Sequence, residues 1–277
     1  MVSSESLSRY YEMPIHPMDN TKELKYREEI QPHENTFRNP KNWIQAMRKE
    51  KFEIPILLKE NVAEFHGRIL EIGAGSCWLS SVLSKFPEVQ EIYALDFSRR
   101  ILTEIAPMVM DYLKANASKI VRVRGSFYDL LHLGKQFDFV VCDETLHHAD
   151  YPIILLNQIC NVLSEDGLFV SIREPIAPKL PILNFVGKRM FGFRERRLGV
   201  TENTYTLSEW RKIFRHSGFE MNCYALHPTS ENLSANAFPL LHNVFSCAFK
   251  IVFGVNSNLV AFVAKKCLKA RALIRQS

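Results

Sequence analysis

The chain has 277 residues, 47% hydrophobic and 23% charged, with a net charge of +5, which describes an ordinary globular protein with a full-sized core. Its 11 Gly, 13 Pro and 6 Cys exclude collagen-like, disordered and disulfide-scaffold classes. The sequence offers no uninterrupted apolar run of about 18 residues with which to span a bilayer. The opening residues, MVSSESLSRYYEMPIHP, lack the basic and apolar regions of a signal peptide, so a cytoplasmic protein is expected. The cysteines form no CxxC pair and read as buried free thiols of a reducing compartment. Basic residues cluster at 188–197 and in the last thirteen positions. Such patches are either solvated faces or attractors of phosphate, anionic lipid or nucleic acid.

Residues 1–65 are polar and aromatic, helical only in fragments, and are expected to cap a larger unit. From residue 66 short apolar runs alternate with helical spacings. RILEIG (68–73), EIYALD (91–96), KIVRVRG (119–125), FDFVVCDE (137–144) and GLFVSIRE (167–174) are predicted strands. SCWLSSVLSKF (76–86), RRILTEIAPMVMDYLKANA (99–117) and YPIILLNQICNVLS (151–164) carry helical apolar spacing. The alternation predicts a parallel sheet covered by helices on both faces. Residues 175–205 are too long for a simple connection and are expected to form a lid or substrate-binding insertion. TLSEWRKIFRHSG (206–218) is a helix with a capping residue at Thr206 or Ser208 and Gly218 at its end. FEMNCYALHP (219–228) and NLVAFVAKK (258–266) complete seven strands, separated by a second insertion at 229–257.

LEIGAGSCWLS places Gly73 and Gly75 between the first of these strands and a helix, where small residues permit a tight turn and close approach to a ligand. The dinucleotide fingerprint needs a third glycine near position 78, which is Trp, so a nicotinamide oxidoreductase is disfavoured. The full arrangement resembles the class I S-adenosylmethionine-dependent methyltransferases. Their E/D-x-G-x-G-x-G motif is matched by Glu71-Ile-Gly73-Ala-Gly75-Ser-Cys77, with Cys77 in place of the third glycine. The resemblance covers about residues 66–266. It implies a Rossmann-like α/β fold, with a seven-stranded, mostly parallel sheet and helices on both faces.

The resemblance implies S-adenosylmethionine as cofactor. Glu71, Gly73 and Gly75 would organise the methionine end, Asp96 with Phe97 the ribose, Ser126 and Phe127 the adenine, and Asp143 the charged amino-acid end. A carboxylate suits Asp96 because its two oxygens can accept from paired hydroxyls. His147 and His148, in the LHHAD segment after the fourth strand, are the candidate catalytic residues, since imidazole is a base near neutral pH. Both could equally be positional, and no third ligand at regular spacing suggests a metal, so none is assigned. Candidate substrate contacts are Tyr10, Tyr11, Glu144, Arg173, Glu174, Glu202, Asn203 and Tyr205, with Arg173 orienting an anionic group. The leading expectation is methyl transfer to oxygen or nitrogen of a small molecule. Alternatives are a lipid- or quinone-like acceptor reached by peripheral membrane contact, a nucleic-acid methyltransferase, and a non-catalytic cofactor-binding scaffold. The nucleic-acid reading is weakened by the lack of an RNA-binding module. Nothing in the sequence fixes an oligomeric state.

Overall fold

The structure is a computed structural model that describes residues 9–14, 16–30, 64–225, 252 and 259–267. The second insertion expected at 229–257 lies outside the described residues apart from Val252, as do most of the basic C-terminal tail and residues 31–63 of the expected cap.

Among the described residues all seven expected strands form, and an eighth joins them from the N-terminal segment. In chain order they are β1 (Tyr10–Glu12), β2 (Gly67–Ile72), β3 (Val89–Asp96), β4 (Ile120–Arg124), β5 (Phe137–Asp143), β6 (Leu163–Pro175), β7 (Phe219–Ala225) and β8 (Leu259–Lys266). The sheet order is β1-β4-β3-β2-β5-β6-β8-β7. Among the described strands only β8 runs against its neighbours. β1 was hidden from sequence reading because three residues, YYE, carry no usable period; it pairs parallel with β4 and forms the edge of the sheet.

Side chains alternate across a strand, and β2 shows the result directly. Leu70 and Ile72 enter one apolar layer, while Ile69 enters the other. The first layer is closed by α4 (Pro152–Val162) and α7 (Leu207–His216), through Leu155, Ile159, Trp210 and Phe214. The second is closed by α2 (Trp78–Leu83) and α3 (Ala106–Tyr112), through Leu79, Leu83 and Val109. Burial on both faces explains why these strands are apolar nearly throughout.

The insertion after β6 holds two short helices, α5 (Pro181–Met190) and α6 (Phe193–Arg197). Its two ends are pinned together, Ile176 bridging Tyr205 and the Ala177 N–H donating to the Tyr205 carbonyl at 2.9 Å. In the N-terminal segment, α1 (Thr21–Lys25) starts at Asn20, whose side chain accepts from the N–H groups of Lys22 and Glu23. The Asn20 amide also donates to the Gly199 carbonyl and the Thr201 hydroxyl, both at 2.9 Å. The N-terminal segment and the insertion therefore meet. Strand order reverses between β2 and β5, and the crevice at the carboxyl ends of those strands is where open α/β sheets bind ligands.

Thr206 starts α7 with a reciprocal capping box to Glu209. Thr206→Ala is expected to lower unfolding stability by about 1 kcal/mol, read as a lower midpoint in urea at unchanged slope.

Candidate active site

A cavity of about 560 Å³ opens at the β2–β5 crevice, within the size range of small-molecule and cofactor sites. Its floor is the turn after β2. Gly73 and Gly75 have φ of +62° and +49°, the left-handed region that glycine tolerates best. The two differ in what a side chain would meet. A Cβ on Gly73 would lie 2.4 Å from Cγ2 of Thr145, whereas one on Gly75 would meet nothing within 4 Å. Gly75 thus leaves open space where a ligand can approach the backbone. Cys77, at the motif's third glycine position, also takes φ +58° and is fully buried.

Two carboxyls hold this turn. Glu71 is buried and accepts from the Ser80 N–H at 2.9 Å and from the Ser80 hydroxyl. Burial pushes its pKa up to about 8 despite those donors. Asp96, at the end of β3, accepts the Gly75 N–H on one oxygen and the Ser98 N–H on the other, each at 2.8 Å. Each oxygen keeps a further lone pair for an incoming hydroxyl. Burial raises the Asp96 pKa against those two donors. Phe97, Ser126 and Phe127 line the same cavity.

The catalytic wall is the loop after β5, held by Glu174. This carboxylate is fully enclosed and accepts the N–H groups of Thr145, Leu146 and His147, the Ser171 hydroxyl at 2.6 Å, and Nδ1 of His147 at 2.8 Å. Its expected contact with substrate is corrected: Glu174 lies behind the cavity wall rather than at its rim. The reason is a break in the β6 ladder between Ser171 and Glu174, with Arg173 at φ +56°. The irregularity lets residues 171 and 174 meet, which a regular period of two would set on opposite faces.

Burial alone would lower the His147 pKa. The Glu174 carboxylate, with Glu202 and Glu144 behind it, reverses that and holds it above the ordinary value. The partner responds in kind: burial would raise Glu174, and His147 brings it below the usual carboxylate range. His148 is the opposite case, since burial and then the neighbouring His147 push it well below the ordinary value. Its Nδ1 lies 2.6 Å from the Thr201 carbonyl. A carbonyl only accepts, so the proton sits on Nδ1 and Nε2 is left as an acceptor.

Glu202 lies 3.6 Å from Nε2 of His147 and 3.8 Å from Nδ1 of His148. These three residues offer ligand atoms within 4.8 Å of one another, a set that a divalent cation would accept. Each is already engaged by protein: His147 by Glu174, His148 by Thr201, and Glu202 by His147.

Several substrate candidates are corrected by their positions. Arg173 reaches the cavity but is bound through Nε to Asp143 at 2.6 Å, through Nη2 to the same carboxylate, and to Glu144 at 3.0 Å. With two carboxylates already on it, it does not present a free charge to an anion. Asp143 likewise spends its charge on Arg173 and accepts Nε1 of Trp78 at 3.0 Å, while still lining the cavity. Tyr10 and Tyr11 belong to the edge strand β1, away from the cavity wall. Asn203 donates to the carbonyls of Ala149 and His147, and Tyr205 packs edge-on against Trp210. Both brace the loop rather than line the cavity. Glu144 and Glu202 do line it.

The sequence reading expected an N-terminal cap with contacts at Tyr10 and Tyr11, and missed that Asp19, Asn20, Glu23 and Arg27 of this segment line the cavity. The usable signal was Asn20 followed three residues later by Glu23, a helix-start pattern. Among the described residues, nine carboxyl side chains line the cavity against two guanidinium groups. Such a surface favours a cationic ligand such as a sulfonium.

The turn, the ribose-type carboxylate, the acidic lining and the position at the strand reversal together define an S-adenosylmethionine-dependent methyltransferase. The sequence profile of the methyltransferase-domain family matches residues 35–224, and the chain belongs to that family. Among curated relatives, the uncharacterized methyltransferase YcgJ of Bacillus subtilis (strain 168) is 24% identical over 163 residues, or 58% of this chain and 60% of YcgJ. The match thus spans less than two thirds of that relative. The crystal structure of YcgJ superposes with a TM-score of 0.55 at 18% identity, covering 78% of this chain and 99% of YcgJ. Mitomycin 7-O-methyltransferase MmcR superposes at 0.56 with 12% identity over 86% of this chain and 60% of its own. The DhpI–SAM–HEP complex gives 0.53 at 10% identity over 90% and 99%. These structures share the fold.

Three outcomes follow. Gly75→Ala is expected to stay folded, at a cost of about 1–2 kcal/mol for the left-handed residue, and to lose affinity for S-adenosylhomocysteine. Gly73→Ala should mainly lower the melting temperature, because its methyl group meets Thr145. For the histidine pair, Glu174→Gln removes the negative charge and leaves burial dominant, so the His147 pKa should fall in an NMR titration. An unchanged value would mean that the Glu174 contact does not set it.

Proposed function

We propose that the protein transfers the methyl group of S-adenosylmethionine to a hydroxyl oxygen of a small molecule, with His147 as the base. The observation that carries this reading is the buried Glu174–His147 pair, with Nδ1 engaged at 2.8 Å, Nε2 3.6 Å from Glu202, and both His147 and Glu202 lining the cavity. Bound S-adenosylmethionine supplies a sulfonium-activated methyl group, for which no acid is needed on the leaving side. The chain's own residues must hold the acceptor, exclude water and take one proton. The Gly73–Gly75 turn and Asp96 would hold the cofactor, with Ser126 and Phe127 available to its adenine. The acceptor lies against His147, whose Nε2 receives its proton. Glu174 fixes the imidazole with Nδ1 protonated and stabilises the imidazolium that results, and His148 stays neutral beside it. Glu144 and Glu202 are the remaining candidates for acceptor contact.

Oxygen is favoured over nitrogen because a hydroxyl needs a base, and the Glu174-supported histidine is a strong one. MmcR, which shares the fold, is named for transfer to oxygen, and DhpI is named as a complex with SAM. A small acceptor suits the size of the cavity, which the N-terminal segment and the insertion partly enclose. The acidic lining disfavours a nucleic-acid acceptor, since phosphates would approach carboxylates.

Labelled S-adenosylmethionine incubated with protein and cell extract is expected to place label in extractable small molecules, not in protein or RNA. His147→Ala should lower the transfer rate by about 10²–10⁴ while leaving S-adenosylhomocysteine affinity nearly unchanged. The rate should rise with pH as His147 loses its proton, with a midpoint above the ordinary histidine value, and Glu174→Gln should move that midpoint down. Label found only in macromolecules, or a His147→Ala protein with full activity, would refute the reading.

A further inference from the structure

The α5–α6 insertion presents an unusual surface. Leu180, Ile182, Leu183, Phe185 and Phe193 are all exposed large apolar side chains, Ile182 at 80% and Phe185 at 63%. Five such residues within fourteen positions are more than the scattered single exposures normal for a surface. The same stretch, residues 179–197, carries six basic side chains and one acid, a net +5 that equals the whole chain's. Lys179, Arg189, Arg194 and Arg197 are exposed. Arg189 lies 5.4 Å from the ring centroid of Phe185, and Arg197 lies 5.6 Å from that of Phe193. The guanidinium groups thus sit beside the apolar side chains. The single acid, Glu195, faces the cavity instead, together with Phe191 and Gly192.

We infer that this face docks the cavity mouth onto an anionic lipid bilayer. Apolar side chains flanked by arginines suit the boundary between acyl chains and headgroups, with the rings and aliphatic chains inserted and the cations at the phosphates. A nucleic-acid surface would use the cations but not the five apolar groups. A protein partner would have to supply a strongly acidic rim around an apolar patch, which a bilayer of anionic lipids offers without further specificity. The surface is distinct from the catalytic residues, so the inference does not depend on the identity of the acceptor. If docking occurs, Phe191 and Glu195 bring the cavity entrance to the membrane, and an acceptor can enter from the lipid phase. Among the described residues no helix is long and apolar enough to cross a membrane, so the contact is peripheral.

The test is flotation of the full-length protein with vesicles of phosphatidylcholine alone or mixed with phosphatidylglycerol. Binding is expected to the mixed vesicles, and it should weaken in about 0.5 M salt, where charges are screened beyond a few ångströms. Ile182→Asp/Phe185→Asp should lower the partition coefficient at least about tenfold. Arg189→Ala/Arg197→Ala should lower it less and remove much of the salt dependence. Leu131→Asp, an exposed apolar residue elsewhere, should leave it unchanged. Retained S-adenosylhomocysteine binding shows that each variant is folded. Wild-type protein that stays out of the mixed vesicles overturns the inference, as does equal binding by Ile182→Asp/Phe185→Asp, which would assign the contact to another segment. A dimer in sedimentation without lipid that this variant converts to monomer would make the face a protein interface and also overturn it.

Discussion

The carboxylate of Glu174 is the contact on which the site depends. It accepts three consecutive N–H groups of the loop after β5, one hydroxyl from its own strand and one imidazole. An ionised carboxylate can be enclosed only if nearly all its lone pairs are met. Here that requirement fixes the loop: Thr145, Leu146 and His147 cannot move without leaving a buried charge exposed to apolar surroundings. Thr145 in turn packs on Gly73, so the same contact braces the cofactor turn from the opposite strand. One buried group therefore couples the two halves of the crevice.

The neighbouring backbone is arranged around this group at some cost. Glu144 and Arg173, on either side of it, take φ of +47° and +56°, conformations that cost non-glycine residues on the order of 1–2 kcal/mol each. Arg173 is held by ion pairs to Asp143 and to Glu144. Strain of this kind persists where the surrounding contacts over-determine it. Its effect is to turn Arg173 toward the cavity and Glu174 away from it. Among the described residues the cavity keeps an acidic excess although its two guanidinium groups each pair with a lining carboxylate, Arg173 with Asp143 and Arg27 with Glu23.

The sheet, its helices and the cofactor turn were legible in the sequence because each rests on local pattern. Apolar runs mark β2 to β6, and Gly73, Gly75 and Asp96 sit at strand ends where the chain must turn. The roles of Arg173 and Glu174 were not legible. They differ by one position, and which faces the cavity depends on the irregular pairing of β6 with β8 and on a left-handed residue that sequence does not mark as glycine would. The His147–Glu174 contact joins residues 27 apart and follows from the register that sets Asp143 beside Ile172. A slip of one residue would exchange faces along the strand. The N-terminal wall was missed for a different reason. β1 is three residues long and α1 five, too short for periodicity, and both are placed by tertiary hydrogen bonds such as that of Asn20 to Gly199.

The cavity around Asp96 and the glycine turn is suited to S-adenosylmethionine, and calorimetric titration of that compound into the full-length protein tests this most directly. Saturable binding of S-adenosylmethionine and S-adenosylhomocysteine is expected, weakened at least about tenfold, or 1.4 kcal/mol, by Asp96→Ala in a protein that still melts cooperatively. Absence of heat with either compound in demonstrably folded wild-type protein, or affinity unaffected by Asp96→Ala, would contradict it.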